Sequence, residues 1–209
     1  MAWSQTLRMR FPTITLSITC VSLIIYASTR LTGLFVYDRQ SVLEGQLWRL
    51  FTAPFVHLST SHLFWNLVVF TAAGCAIEFT GYRRFGFICI MAIVFPGVLF
   101  LGTEPELGQY AGLSAVATGA TTYFCLCRAH TASRDRILWV TILVLLIVKI
   151  FVEGAIDTPI FAQIGNSPFR VLPSAHAVGV VSAAAVFLYW RQFEGDQKGS
   201  GTDKGQREQ

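Results

Sequence analysis

The chain has 209 residues, 53% of them hydrophobic and only 13% charged, whereas a soluble domain carries about a quarter charged residues. That balance excludes an ordinary soluble globule. The formal charge of +4, from 16 Lys and Arg against 12 Asp and Glu, is carried mostly outside the apolar stretches and needs no nucleic acid to explain it.

About 20 mainly apolar residues cross a bilayer as a helix, and six such stretches follow one another along the chain. The first, 11–28, lies between Arg10 and Arg30; it is too long for a signal-peptide core and no A-x-A pattern follows it. The second spans 61–80, ahead of Arg83 and Arg84, the third 85–101, and the fourth 110–127, closed by Arg128. The fifth, 137–155, is the most continuously apolar, and the sixth, 173–190, is closed by Arg191. Residues 192–209 then turn polar and rich in Gly, Lys, Asp and Gln, which predicts a disordered tail. The expected organisation is a short N-terminal segment 1–10, one all-α polytopic membrane domain 11–191 built as a six-helix bundle, and the tail.

Short loops rich in Lys and Arg stay cytoplasmic. With the N-terminus inside, the inner side receives Arg8, Arg10, Arg83, Arg84, Arg128, Arg134, Arg136, Arg191, Lys198, Lys204 and Arg207. The outer side receives only Arg30, Arg39, Arg49 and Arg170. Both termini are therefore expected in the cytoplasm. Cys20, Cys75, Cys89, Cys125 and Cys127 all fall in apolar segments without a Cys-x-x-Cys spacing and read as packing residues.

Polar groups are costly in hydrocarbon, so each one inside these segments is a candidate for function. His62 and Asn66, four residues apart, share a face of the second helix. Ser114 in Ala111-Gly112-Leu113-Ser114-Ala115 and His176 in Ala175-His176-Ala177-Val178-Gly179 are flanked by small residues that permit close helix approach. Taken singly, each suits a structural role at least as well. Together they are distinctive, because the second, fourth and sixth helices all enter from the outer face and His62, Ser114 and His176 lie near those entries, at one depth. A serine nucleophile needs a base within about 3 Å and preorganised donors for the oxyanion. Lys149 and Glu153, four apart in the fifth helix, read first as an internal ion pair, with a Ser–Lys pairing as the alternative. Glu78 reads as a structural acceptor or a partner of Arg83 or Arg84. The histidines have no companion carboxylate or thiolate at ligand spacing, so neither metal nor cofactor is expected.

These motifs resemble the rhomboid intramembrane proteases. Trp48-Arg49 looks like that family's first-loop motif, His57 and the His62/Asn66 pair match its His-x-x-x-Asn element with the preceding histidine, Gly112-Leu113-Ser114-Ala115 is similar to its Gly-x-Ser-Gly, and Ala175 to Gly179 matches its Ala-His-x-x-Gly. The resemblance covers 48–183, in order and on the expected helices. It implies Ser114 as nucleophile, His176 as general base, His62 and Asn66 with the Ser114 backbone N–H as oxyanion hole, and Gly112 and Gly179 as packing positions at the site. It further implies a single-pass membrane-anchored protein as substrate, cut near the outer face, and a place in the bacterial inner membrane. The likeness is greatest to the rhombosortase branch, associated with removing a C-terminal Gly-Gly-type sorting tail. Two positions depart from the pattern: Ala115 stands for the usual Gly after the nucleophile, and Thr118 for an aromatic or His beneath the catalytic imidazole. Those departures keep open an inactive relative that binds transmembrane segments, and Lys149, Glu153 and the histidines keep open a small transporter. Thr118 offers no flat surface, so His176 is expected to be held by a hydrogen bond or by an apolar neighbour from another helix, rather than by an aromatic from the fourth.

Overall fold

The computed structural model describes residues 11–132, 134–156 and 172–204, with side chains as far as Gln192. Among them nine α-helices follow in chain order: α1 Thr13–Tyr26, α2 Thr29–Phe35, α3 Arg39–Leu43, α4 Arg49–Thr52, α5 Thr60–Thr80, α6 Phe85–Thr103, α7 Ser114–Thr131, α8 Arg136–Ile156 and α9 Pro173–Lys204. α5, α6, α8 and the Pro173–Gln192 part of α9 are each long and apolar enough to cross a bilayer, and α1 with α2, bent by 111° at their break, forms a fifth candidate. The chain is an all-α polytopic membrane bundle.

The fourth expected span, α7, is the exception by composition and the centre by position. Ten of its 18 residues are buried, most of them Ala, Gly, Thr or Cys. It packs most extensively on α9 and α5, and further on α8 and α6. A helix enclosed by other helices needs small side chains for close approach rather than large apolar ones for lipid. α8 is the converse: most of its apolar side chains are exposed, and Glu153 is its one buried residue.

Local signals set the ends of these helices. Ser59 caps α5 by accepting the His62 N–H at 3.2 Å, and Gly81, with φ +73°, ends it. Glu78 turns back to the start of α1 and accepts the N–H of Ile14 (3.1 Å) and Thr15 (2.9 Å) and the Thr15 hydroxyl (2.6 Å), satisfying donors that a helix start leaves without intrahelical acceptors. It is the structural acceptor anticipated from its position.

The long first loop is organised by two arginines. Buried Arg49 donates to the Gln46 side chain and to the carbonyls of Gly33 and Val36, while Arg39 donates to the carbonyls of Phe100, Leu101 and Glu104 at the end of α6. The same loop contributes strand β1, Tyr37–Asp38, which pairs antiparallel with β2, Gln109–Tyr110.

Two boundaries differ from the expectation. The fourth span begins at Ser114 rather than 110, because Gln109–Tyr110 is extended and held by β1. The sixth helix continues to Lys204, into the polar stretch expected to be disordered from 192; lengthening an existing helix avoids the cost of nucleating a new one. The N-terminal segment 1–10, the loop that carries Arg170 and residues 205–209 lie outside the described residues.

Candidate active site

Ser114 is the first residue of α7, half-buried at its N-terminal end. The backbone before it is turned by Gly112, with φ +123°, a region that favours glycine. Three bonds hold this turn. Gly112 N–H donates to the Ala53 carbonyl at 3.1 Å, Leu113 N–H donates to His57 Nε2 at 3.4 Å, and the Tyr110 hydroxyl donates to the Gly112 carbonyl at 3.3 Å. His57 precedes α5 and is almost fully buried. Its pKa is pushed down to about 3 by burial first and by the neighbouring His62 second. It is therefore neutral at ordinary pH, with a ring nitrogen able to accept the Leu113 amide.

His62 and Asn66 stand on the face of α5 that meets this turn. A side-chain Cβ built at Gly112 would fall 2.5 Å from His62 Cε1, 2.7 Å from its Nε2 and 3.6 Å from Asn66 Nδ2. The space above Gly112 is thus occupied by an imidazole and a carboxamide, both buried. Asn66 Nδ2 is buried without a hydrogen-bond partner among the described residues. An unmade bond of this kind costs about 1–3 kcal/mol and calls for an explanation in the chemistry of the site. Ser114 adds its backbone N–H, which at the first position of a helix has no acceptor within that helix. Gly112→Ala is expected to displace the His62 ring and strain the turn, and to reduce hydrolysis by at least about 10²-fold, the scale of losing one oxyanion donor. Turnover of a reporter substrate by the folded variant measures it.

His176 arrives from α9. A Cβ at Gly179 would collide with the Ala115 carbonyl oxygen and lie 3.0 Å from the Gly119 amide, so α7 and α9 cross there in backbone contact. His176 is buried three residues ahead of Gly179, about one turn towards the end of α9 that adjoins the start of α7. It lies within electrostatic reach of His62. Of the six candidate residues, His62 and Asn66 lie on α5, Ser114 on α7, and His176 and Gly179 on α9, while Gly112 sits in the turn that leads into α7.

Lys149 and Glu153 form the anticipated ion pair, Nζ to Oε2 at 2.6 Å. The same Oε2 lies 3.2 Å from His176 Nδ1, within ion-pair reach though outside hydrogen-bond alignment. The sequence reading paired Glu153 only with Lys149; the available signal was depth, since Glu153 ends the fifth span on the side where His176 begins the sixth.

A cavity of about 1170 Å³ forms an apolar groove between α6 and α9, lined by residues such as Phe87, Phe95, Val181 and Tyr189. None of the six candidate residues lines it.

A family model described as Rhomboid domain matches residues 44–192, which takes in every candidate residue above. Among curated proteins none matches the chain.

Proposed function

The chain belongs to the rhomboid family of intramembrane serine proteases, and from that premise we propose that it is an active serine endopeptidase with Ser114 as nucleophile and His176 as general base. Ser114 Oγ attacks the scissile carbonyl carbon while its proton passes to His176. The carbonyl oxygen becomes an oxyanion met by the Asn66 amide, His62 and the Ser114 N–H. Collapse of the tetrahedral species breaks the C–N bond, and His176 returns the proton to the leaving amine. Water then attacks the acyl ester through the same base and releases the second product. The observation that carries this reading is the unpartnered, buried Asn66 donor beside His62 above Gly112, two residues before a serine that opens a helix. A transporter gives no reason to hold such donors over a glycine turn.

The charge distribution supports both termini in the cytoplasm and the site in the outer leaflet, and the family resemblance points to a bacterial inner membrane. A substrate at that depth is a single-pass protein anchored in the same bilayer. The resemblance to rhombosortases narrows it to exported proteins ending in a Gly-Gly-type motif, one apolar helix and a basic tail. The test is cleavage of such a reporter in reconstituted vesicles, beside a version in which both glycines are replaced by Leu. Cutting of the first alone supports the sorting-tail substrate; equal cutting assigns a broader specificity. Cutting of neither, by a protein that also fails to react with serine-directed reagents, returns weight to the inactive, segment-binding relative.

Asn66→Ala is expected to retain cleavage at a rate lower by about 10²–10³, the cost of one oxyanion donor, with substrate binding little changed. Single-turnover kinetics in vesicles separate those two effects.

A further inference from the structure

We propose that Glu153 is a positioning residue for His176, so that the site works as a Ser114–His176–Glu153 triad rather than as a two-member dyad. The proposal rests on Ser114 and His176 being the catalytic pair. Most side chains of α8 are exposed, and the one residue it buries is this carboxylate. No other Asp or Glu occurs in α6, α7, α8 or the Pro173–Gln192 part of α9. A carboxylate is costly to bury unless it is paired, and one oxygen of Glu153 lies 2.6 Å from Lys149 Nζ and 3.2 Å from His176 Nδ1.

The division of labour follows from the chemistry of imidazole. A neutral ring carries one N–H, and a carboxylate at Nδ1 favours the tautomer with the proton there, leaving the Nε2 lone pair for the Ser114 hydroxyl. When Nε2 takes the Ser114 proton, the ring becomes a cation beside Glu153, which stabilises the charge without itself accepting the proton. Lys149, partly exposed at the other side of the same oxygen, balances the carboxylate before the ring is charged and lowers the cost of burying it. The 3.2 Å contact is out of hydrogen-bond alignment; catalytic contacts are often loose until substrate binds. This also answers how His176 is held over a fourth span with Thr118 in place of an aromatic: the hold comes from the fifth span.

The experiment measures the rate at which a fluorophosphonate probe labels the purified protein in bilayers, split into the maximal labelling rate and the probe concentration giving half of it. Glu153→Gln is expected to lower the maximal rate by about 10²–10⁴, the upper figure being the effect of neutralising the acid of a serine-protease triad, with the half-saturating concentration within about twofold of the parent. Glu153→Asp should recover at least tenfold over Glu153→Gln. The double variant Lys149→Met/Glu153→Gln, with neither charge left buried, should be as slow as Glu153→Gln, and it carries the comparison if the single variant does not fold. Glu153→Gln labelling within threefold of the parent, or a double variant restored to the parent rate, overturns the proposal, because the carboxylate would then serve only Lys149. Ser114→Ala and His176→Ala keep the two levels apart. If both are inert and Glu153→Gln is not, the triad fails and the dyad stands; if either still labels at the parent rate, the catalytic pair itself is wrong.

Discussion

Ser114→Ala and His176→Ala are each expected to reduce cleavage to background, by about 10⁶-fold if the residual rate comes only from binding and the oxyanion donors. Nucleophile and base act as one unit, since the serine is inert without a partner to take its proton and the imidazole has nothing to activate without the hydroxyl. The double variant is therefore expected to be no slower than either single one. Both substitutions remove atoms at a half-buried or buried polar position without inserting any, so the folded bundle should persist, and thermal unfolding of each variant beside the parent checks that the loss is chemical. A Lys149→Ala variant that is dead while His176→Ala still cuts would instead support a Ser–Lys pair. The ion pair between Lys149 and Glu153 argues against that outcome, because it commits the ammonium to a carboxylate.

Gly179→Ala is expected to have the next largest effect, and it acts through packing. The added methyl meets the carbonyl oxygen of Ala115, a backbone atom inside a helix that cannot swing aside as a flexible side chain would. α7 and α9 must separate, and overpacking of this type costs about 1–3 kcal/mol. Because Ala115 adjoins Ser114 and Gly179 lies one turn from His176, the separation falls on the two side chains of the proposed catalytic pair. A misplacement of about 1 Å can cost 10²-fold in rate, so activity should fall at temperatures where the protein is still folded. Comparing the unfolding midpoint with the cleavage rate at a temperature well below it separates the two effects. A Gly179→Ala variant with parental stability and rate would show that the crossing tolerates a wider spacing.

Much of this was legible from hydropathy and spacing because a bilayer limits the alternatives: spanning backbone must satisfy its own hydrogen bonds, which leaves helices for runs this long. α5, α6 and α8 begin and end within a few residues of the apolar runs that predict them. The start of the fourth span was not legible, because Gln109 and Tyr110 take their structure from a partner strand some 70 residues earlier in the chain, and no local signal reports that pairing. The short helices of the first loop were also hidden, since they are held by Arg39 and Arg49 reaching distant carbonyls rather than by any helical period. At the site, the His62/Asn66 spacing pointed to a shared face, and the meeting of that face with Gly112 follows from two helices entering side by side. The role of His57 lay in a side-chain bond to the Leu113 amide, which spacing does not reveal. Glu153 was visible only as half of an i, i+4 pair, because its approach to His176 joins two different helices, which local spacing does not report.

The most direct measurement is the site of covalent modification by a fluorophosphonate, located by mass spectrometry on the full-length protein in bilayers. The expected result is a single phosphonyl adduct on the hydroxyl of Ser114, absent from His176→Ala and from acid-denatured protein. No adduct at Ser114 in protein shown to be folded, or the same adduct forming at an undiminished rate in His176→Ala, would contradict Ser114 and His176 as the catalytic pair.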